Sequence, residues 1–359
     1  MRSDDVGGNS RHGVVLQMQN LGEIIRAHIT LHGPMSIETY WNLCLSHPEH
    51  GYYIKKDPLG VAGDFTTSPE ISQLFGEMIG IWAVNKWQEM GCPSAINLVE
   101  CGPGRGTLMA DLLRIAAMIP DFDAALQVHL VEMSPFLRQK QREALGDKNV
   151  IWHNDLSSVP SDDPLLIIGN EFLDALPIRQ YVFVDGVWRE RVITTIGEEL
   201  GFSIGSKIES ADFPAAQQND IFEASLVRDR VFLTMCQKIK LSKGSILMID
   251  YGHDQVSMGN SFQAVMNHQF SNVLENQGHA DLTSHIDFAR LKFISEHERL
   301  LSSIWSQNSF LIEMGIVQRA AQLRASATLP QQEEIDAALF RLLDIGQMGD
   351  LFKVIEVNT

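Results

Sequence analysis

The sequence predicts an α/β protein in which a parallel sheet is wrapped by helices, with a helical region ahead of it and insertions that cap it. Two observations carry this expectation. From residue 96 onward, short β-type apolar runs alternate with helical segments, the order that builds a parallel sheet through crossover helices. The composition, 45% hydrophobic and 20% charged over 359 residues, is that of a globular chain long enough to bury a large core.

The elements follow in chain order. Residues 1–20 hold Arg2, Arg11 and several glycines but no apolar segment of the kind a secretory signal needs, and read as a flexible leader. Residues 21–95 form an N-terminal helical region, with Leu21, Ile24, Ile25 and Ile29 on one helical face and Ile37, Tyr40, Trp41 and Cys44 on another. A turn-rich loop that includes Gly63 to Glu70 leads into a helix expected over Ile71–Met90, with Ser68 as its cap and Pro69 as its first residue. Residues 96–359 form the sheet domain. Its expected strands are Ile96–Glu100, Val128–Glu132, Val150–His153, Leu165–Gly169 and Ile246–Asp250, and its expected helices are Thr107–Met118, Pro135–Leu145 and Leu226–Ile239. Tyr181–Ile193 reads as an antiparallel hairpin about Asp185-Gly186, running into an insertion at about 186–225 whose residues 194–225 are polar and weakly patterned. A second insertion spans about 254–290, and Leu301–Gly315 and Leu351–Val357 are candidate edge strands.

Charge narrows the partners. The chain has 28 Lys and Arg against 45 Asp and Glu, a net charge of −17, and no segment is a basic arm. Generic nucleic-acid binding depends on clustered cations and is excluded as the main role. Cys44, Cys92, Cys101 and Cys236 have no CxxC spacing, so no zinc knuckle or disulfide framework is expected, and no metal is called for. The longest apolar runs are strand-sized, too short for a membrane span. A reducing compartment fits: the cytoplasm in a bacterium, or the mitochondrial matrix in a eukaryote.

The chemistry is concentrated at the predicted strand ends. Glu100-Cys101-Gly102-Pro103-Gly104-Arg105-Gly106 lies between an apolar strand and a helix, where glycines let the backbone turn sharply and a ligand approach closely. A plain βα turn would account for the same residues without a ligand. Gly106-Thr107 lacks the Lys of a Walker loop, and the spacing is GxGxG rather than the dinucleotide GxGxxG. The acid Glu100 at the strand end suits an ammonium group and repels a pyrophosphate, which points to S-adenosylmethionine rather than NAD. Glu132, ending the second strand beside Met133, can accept from ribose hydroxyls, and Asp155, beside Leu156 after the third, can accept from the adenine amino group. A solvated turn aspartate is the plainer reading of Asp155. After the fourth strand, Asn170, Glu171 and Asp174 are candidates to face the methyl acceptor, or else a turn residue and a helix cap. Tyr251 and His253 follow the fifth strand on the same rim.

With these residues in hand, the chain resembles the MidA-like family of class I S-adenosylmethionine-dependent methyltransferases. The resemblance covers nearly all of residues 21–357. It rests on Gly63-Asp64-Phe65-Thr66-Thr67-Ser68-Pro69-Glu70-Ile71, the Glu100–Gly106 turn, Gly169-Asn170-Glu171-Phe172 through Leu176-Pro177, Ile249-Asp250-Tyr251-Gly252, and Ala280 through Phe288. His279 departs from the acid expected at that position. The resemblance implies a Rossmann-like class I methyltransferase sheet and S-adenosylmethionine as cofactor. It also implies a protein substrate, an arginine of a respiratory complex I core subunit. The Gly63–Glu70 loop and the Ala280–Phe288 segment are then expected to fold over the cleft, with Thr66, Thr67 and Ser68 available to cofactor or peptide.

On this reading Glu171 and Asp174 hold the acceptor guanidinium with Tyr251 nearby, and His253 or Asp250 takes its proton. Carboxylates suit the task because they bind a guanidinium through charge-assisted, bidentate hydrogen bonds. The alternatives are a non-catalytic complex I assembly protein that keeps the cofactor fold, and a small-molecule methyltransferase.

Overall fold

The structure, a computed structural model, describes residues 20–55, 67–209 and 213–359. Residues 1–19 of the leader and the Asp57–Thr66 part of the loop lie outside the described residues. The central sheet contains β1 (Ile96–Cys101), β2 (Leu126–Val131), β3 (Val150–His153), β4 (Leu165–Asn170), β5 (Ser245–His253), β6 (Leu301–Ser306) and β7 (Phe352–Asn358) in the order β3-β2-β1-β4-β5-β7-β6. The first five run parallel, and β7 is antiparallel to both β5 and β6. Every residue of β1 and β4 is buried, as expected of strands covered on both faces. This is the parallel sheet that the sequence predicts, with the architecture that the family resemblance implies.

Helices cover the two faces. On one, the Gln73–Glu89 helix crosses Thr107–Ala116 so closely that a Cβ on Gly76 would stand 2.5 Å from Cβ of Asp111. Leu74, Met78 and Trp82 join Leu98, Leu112 and Ile168 in one core there. On the other face, Phe232 and Ile239 of the Leu226–Ser242 helix and Phe288 and Leu291 of Phe288–His297 pack on Ile167 and Met248.

Three expectations needed correction. The helix expected over Ile71–Met90 is two: Ser68–Ile71, with Thr67 at its N-cap position, and Gln73–Glu89. Ser72 breaks the run in extended conformation, and its side chain accepts the N–H of Leu74 at 3.2 Å. Ser68 therefore opens the short helix rather than capping it. The polar stretch 194–225 contributes two strands, Glu199–Lys207 and Ile221–Ala224, to an antiparallel sheet built on the hairpin Arg179–Val184 and Val187–Ile196. The hairpin turns at Asp185-Gly186, both at positive φ (53° and 75°), as expected. Of the two expected edge strands, Leu301–Gly315 is a strand only as far as Ser306, with a helix over Gln307–Glu313, while Phe352–Asn358 lies inside the sheet between β5 and β6.

The N-terminal helices Leu21–His32 and Ile37–Ser46 pack on these insertions. Ile25, Tyr40 and Trp41 share a core with Ile193, Phe262, Ala264 and Leu282. Lead-in and insertions thus form one cap, and Trp41 reaches the sheet domain by donating its indole N–H to the carbonyl of Ala175 at 2.9 Å.

Candidate active site

Register places the functional strand ends side by side. Glu100 pairs with Leu130 on one flank and Ile168 on the other, Val131 pairs with His153, and Asn170 pairs with Ile249. A cavity of about 480 Å³ opens at this edge, where parallel α/β sheets bind their ligands. Gly102, Gly104 and Gly106 turn the chain beside it at φ of 66°, 52° and 87°, a region that residues with a Cβ seldom adopt. A Cβ on Gly102 would stand 2.8 Å from Cδ2 of Phe172.

Glu100 is 3% exposed, and its Oε2 is buried with no hydrogen-bond partner. Burial pushes its carboxyl up to about 8. A carboxylate in such a place calls for a cation. At the end of β2, Glu132 lines the cavity. Its Oε1 accepts the Ser134 N–H at 2.7 Å, and its Oε2 accepts from Nε2 of Gln141 at 3.3 Å. Met133, 67% exposed, and Leu156, buried, line the cavity together with Asp155. Asp155 also does what the plainer reading assigned it. It caps the turn Leu156–Ser158 by accepting from the N–H of Ser157 at 2.8 Å.

Glu171 sits at the end of β4 with φ of 48°, uncommon for a residue other than glycine. Its N–H donates to the carbonyl of Ile249 at 2.9 Å. Its Oε1 accepts from the backbone N–H of Ser68 at 3.1 Å and from Nδ2 of Asn170 at 2.9 Å. Burial, then the neighbouring Asp174, raises its carboxyl to about 7 against the pull of these donors. Oδ1 of Asn170 and Oγ of Ser68 are buried without a partner. Thr67 lines the cavity, and Thr66 lies outside the described residues.

Ser68, Gly106, Asp174, Tyr251, His253 and Asp250 do not line the cavity. Asp174 is buried behind Glu171, with an oxygen accepting the Tyr251 hydroxyl at 2.7 Å. Asp250 accepts the N–H groups of Leu173 and Asp174, each at 3.1 Å. Burial raises both carboxyls. Buried Arg228 stands against both acids and donates to the carbonyls of Leu173, Asp174, Leu176 and His285 and to Oγ of Ser284. These groups fix the loop that presents Glu171. Nδ1 of His253 lies 2.6 Å from the carbonyl of Gln255 on an exposed stretch. The Ala280–Phe288 segment does not cover the cleft: it packs behind the same loop, with Ser284 N–H against the carbonyl of Asp174 at 3.3 Å.

Two site residues escaped the sequence reading. Glu70 ties the short Ser68–Ile71 helix to the glycine turn, accepting from Oγ1 of Thr107 at 2.6 Å with Arg105 at 3.8 Å. Gln141 lies under the same turn, and its place in the buried stripe Leu137, Gln141, Leu145 was the available signal.

A family model described as S-adenosyl-L-methionine-dependent methyltransferase matches residues 78–306. The chain belongs to that family. The methyltransferase is 34% identical over 369 residues to "Protein arginine methyltransferase NDUFAF7 homolog, mitochondrial" of Drosophila melanogaster, a match covering 93% of this chain and 84% of the relative. It is 30% identical to the human protein arginine methyltransferase NDUFAF7, covering 89% of this chain and 79% of that one. In fold it is similar to a crystal structure from Burkholderia thailandensis bound to S-adenosylhomocysteine, with a TM-score of 0.84 at 24% identity over 94% of this chain and 92% of the other. The relatives are mitochondrial by name, so they lend no support to the cytoplasmic expectation. Among the described residues no helix is long and apolar enough to cross a membrane.

S-adenosylmethionine is the methyltransferase's cofactor, and the cavity fits it. Glu100 offers an unpartnered buried carboxylate oxygen for a cationic group, Glu132 offers a second acid, and Gly102 and Gly104 line the cavity with bare backbone.

Proposed function

We propose that this methyltransferase modifies an arginine side chain of a protein, with a subunit of respiratory complex I as the expected partner. The observation that carries the reading is Glu171: a carboxylate held at the cavity by two donors on one oxygen, beside the unpartnered amide oxygen of Asn170, which also lines it. Relatives of this chain carry the name protein arginine methyltransferase.

In this reading Glu100 takes the cofactor's ammonium group, Glu132 its ribose hydroxyls, and Met133, Asp155 and Leu156 its adenine. Bound S-adenosylmethionine supplies an electrophilic methyl on a sulfonium. Oε1 of Glu171 is engaged by Ser68 and Asn170, so Oε2 meets the guanidinium and draws its charge away from the attacking nitrogen. With its carboxyl at about 7, Glu171 is also matched to accept the proton that the methylated nitrogen releases. Asp174, Asp250 and Tyr251 act from behind by fixing the Glu171 loop, and His253 stands outside the step. Most of the acceleration comes from orientation within a cavity that excludes water.

The test is transfer of a labelled methyl group from S-adenosylmethionine to a complex I subcomplex, with the modified residue mapped by mass spectrometry. Label on arginine supports the reading. Cofactor binding without transfer points to an assembly role, and label on a small molecule or another side chain refutes the arginine assignment.

A further inference from the structure

Gln141 is fully buried in the Pro135–Leu145 helix, where glutamine brings a polar amide into an apolar stripe between Leu137 and Leu145. A buried amide must satisfy both ends. The indole N–H of Trp152, on β3, donates to Oε1 of Gln141 at 2.8 Å. Nε2 then faces two acceptors, the carbonyl of Gly104 at 2.8 Å and Oε2 of Glu132 at 3.3 Å. Chemistry fixes this orientation. An indole N–H can only donate, while a carbonyl and a carboxylate can only accept, so flipping the amide would break every one of these contacts. Gln141 also closes the space beneath the turn: a Cβ on Gly106 would stand 3.3 Å from its Cα.

The two acceptors belong to the two parts of the cofactor wall, the glycine turn and the acid at the end of β2. We infer that Gln141 is a positioning residue that locks Glu132 to the glycine turn, so that the acid is already aimed at the ribose before the cofactor arrives. Glu132 is held from both sides, by Gln141 on Oε2 and by the Ser134 N–H on Oε1. Without Gln141 the carboxylate can swing toward solvent, and binding must then re-order it. Trp152 completes the device by keeping the amide from rotating.

This rests on the reading of Glu132 as the ribose acid, and the experiment separates the two. Dissociation constants for S-adenosylhomocysteine are measured by calorimetry on the full-length protein and on Gln141→Leu, Glu132→Gln and the double variant, with melting temperatures alongside. Gln141→Leu is expected to weaken binding by roughly tenfold, a loss typical of one buried hydrogen bond to a charged group. In the Glu132→Gln background the same change is expected to weaken it by less than about twofold, because the group it positions is already altered. A merely structural role would lower the melting temperature and cost the same factor in both backgrounds, which would overturn the inference. Wild-type affinity in Gln141→Leu would overturn it as well, and wild-type affinity in Glu132→Gln would overturn the ribose reading along with it. Should Gln141→Leu fail to fold, Trp152→Phe carries the cycle: it keeps an aromatic ring, smaller than the indole, and removes the N–H. The expectation is then a loss of roughly threefold that disappears in the Glu132→Gln background.

Discussion

Ser68 donates its backbone N–H to Oε1 of Glu171 at 3.1 Å, joining residues 103 positions apart in the sequence. The contact brings the short helix after the turn-rich loop onto the end of β4, and it commits one carboxylate oxygen while leaving the other for a ligand. Glu70 of the same helix accepts from Thr107 at 2.6 Å, so one four-residue element spans the acceptor side and the cofactor side of the cavity. The glycine turn and Glu171 are thereby held to a common reference.

Glu171→Gln is expected to reduce methyl transfer by about 100-fold or more, the scale of losing a positioned charged group at the reacting centre. S-adenosylhomocysteine binding, measured by calorimetry, should change by less than about threefold, because Glu100 and Glu132 are the residues proposed to hold the cofactor. Transfer at the wild-type rate in this variant would remove Glu171 from the mechanism.

Glu100 sets a pH dependence. Burial holds its carboxyl at about 8 against an ordinary value of 4.5, so the native state binds that proton more tightly than the unfolded chain does. The stability gained is complete below about 4.5 and is lost as pH rises through about 8. Ligand-free Glu100→Gln should therefore melt with the wild type near pH 5 and above it by roughly 2–5 °C at pH 8. The same variant should bind S-adenosylhomocysteine about 10–100-fold more weakly, since the ammonium group loses its charged partner.

How far the site was legible follows from where each residue's position is decided. Glu100, Glu132 and Glu171 could be read because strand ends in a parallel sheet are aligned by register, and apolar runs mark those ends. Asp174 was placed with Glu171 because the two are three residues apart. Which of them faces the cavity is decided by Arg228 and Asp250, whose bonds to the loop span 54 and 76 positions and leave no local trace. The break at Ser72 was hidden by apolar residues that continue through it. The strands within 194–225 were hidden because their residues are half-buried or exposed and alternate weakly. Thr67 and Ser68 were marked as ligand residues by their side chains, yet the contact Ser68 makes to Glu171 is through its backbone.

Arg228 is expected to dominate local stability. Arg228→Met leaves the buried Asp174 and Asp250 without their cation and several carbonyls without a donor, at a cost of about 3–5 kcal/mol in urea unfolding. Arg228→Lys should recover only part of this, because one ammonium cannot reach acceptors spread around a planar fork.

Gly102→Ala tests the glycine turn. The residue sits at φ of 66°, and the added Cβ would meet Phe172 at 2.8 Å. Strain and contact together should cost about 1–3 kcal/mol in unfolding free energy and weaken S-adenosylhomocysteine binding at least fivefold. A variant as stable as wild type would show that the turn relaxes freely.

In the proposed function one cavity has a cofactor wall at Glu100 and Glu132 and an acceptor wall at Glu171. A crystal structure of the S-adenosylhomocysteine complex tests this most directly. The ammonium group should lie about 3 Å from Oε2 of Glu100 and the ribose hydroxyls on Glu132, with the space beside Oε2 of Glu171 left open. A cofactor that instead fills the space at Glu171, with Glu100 still unpartnered, would contradict it.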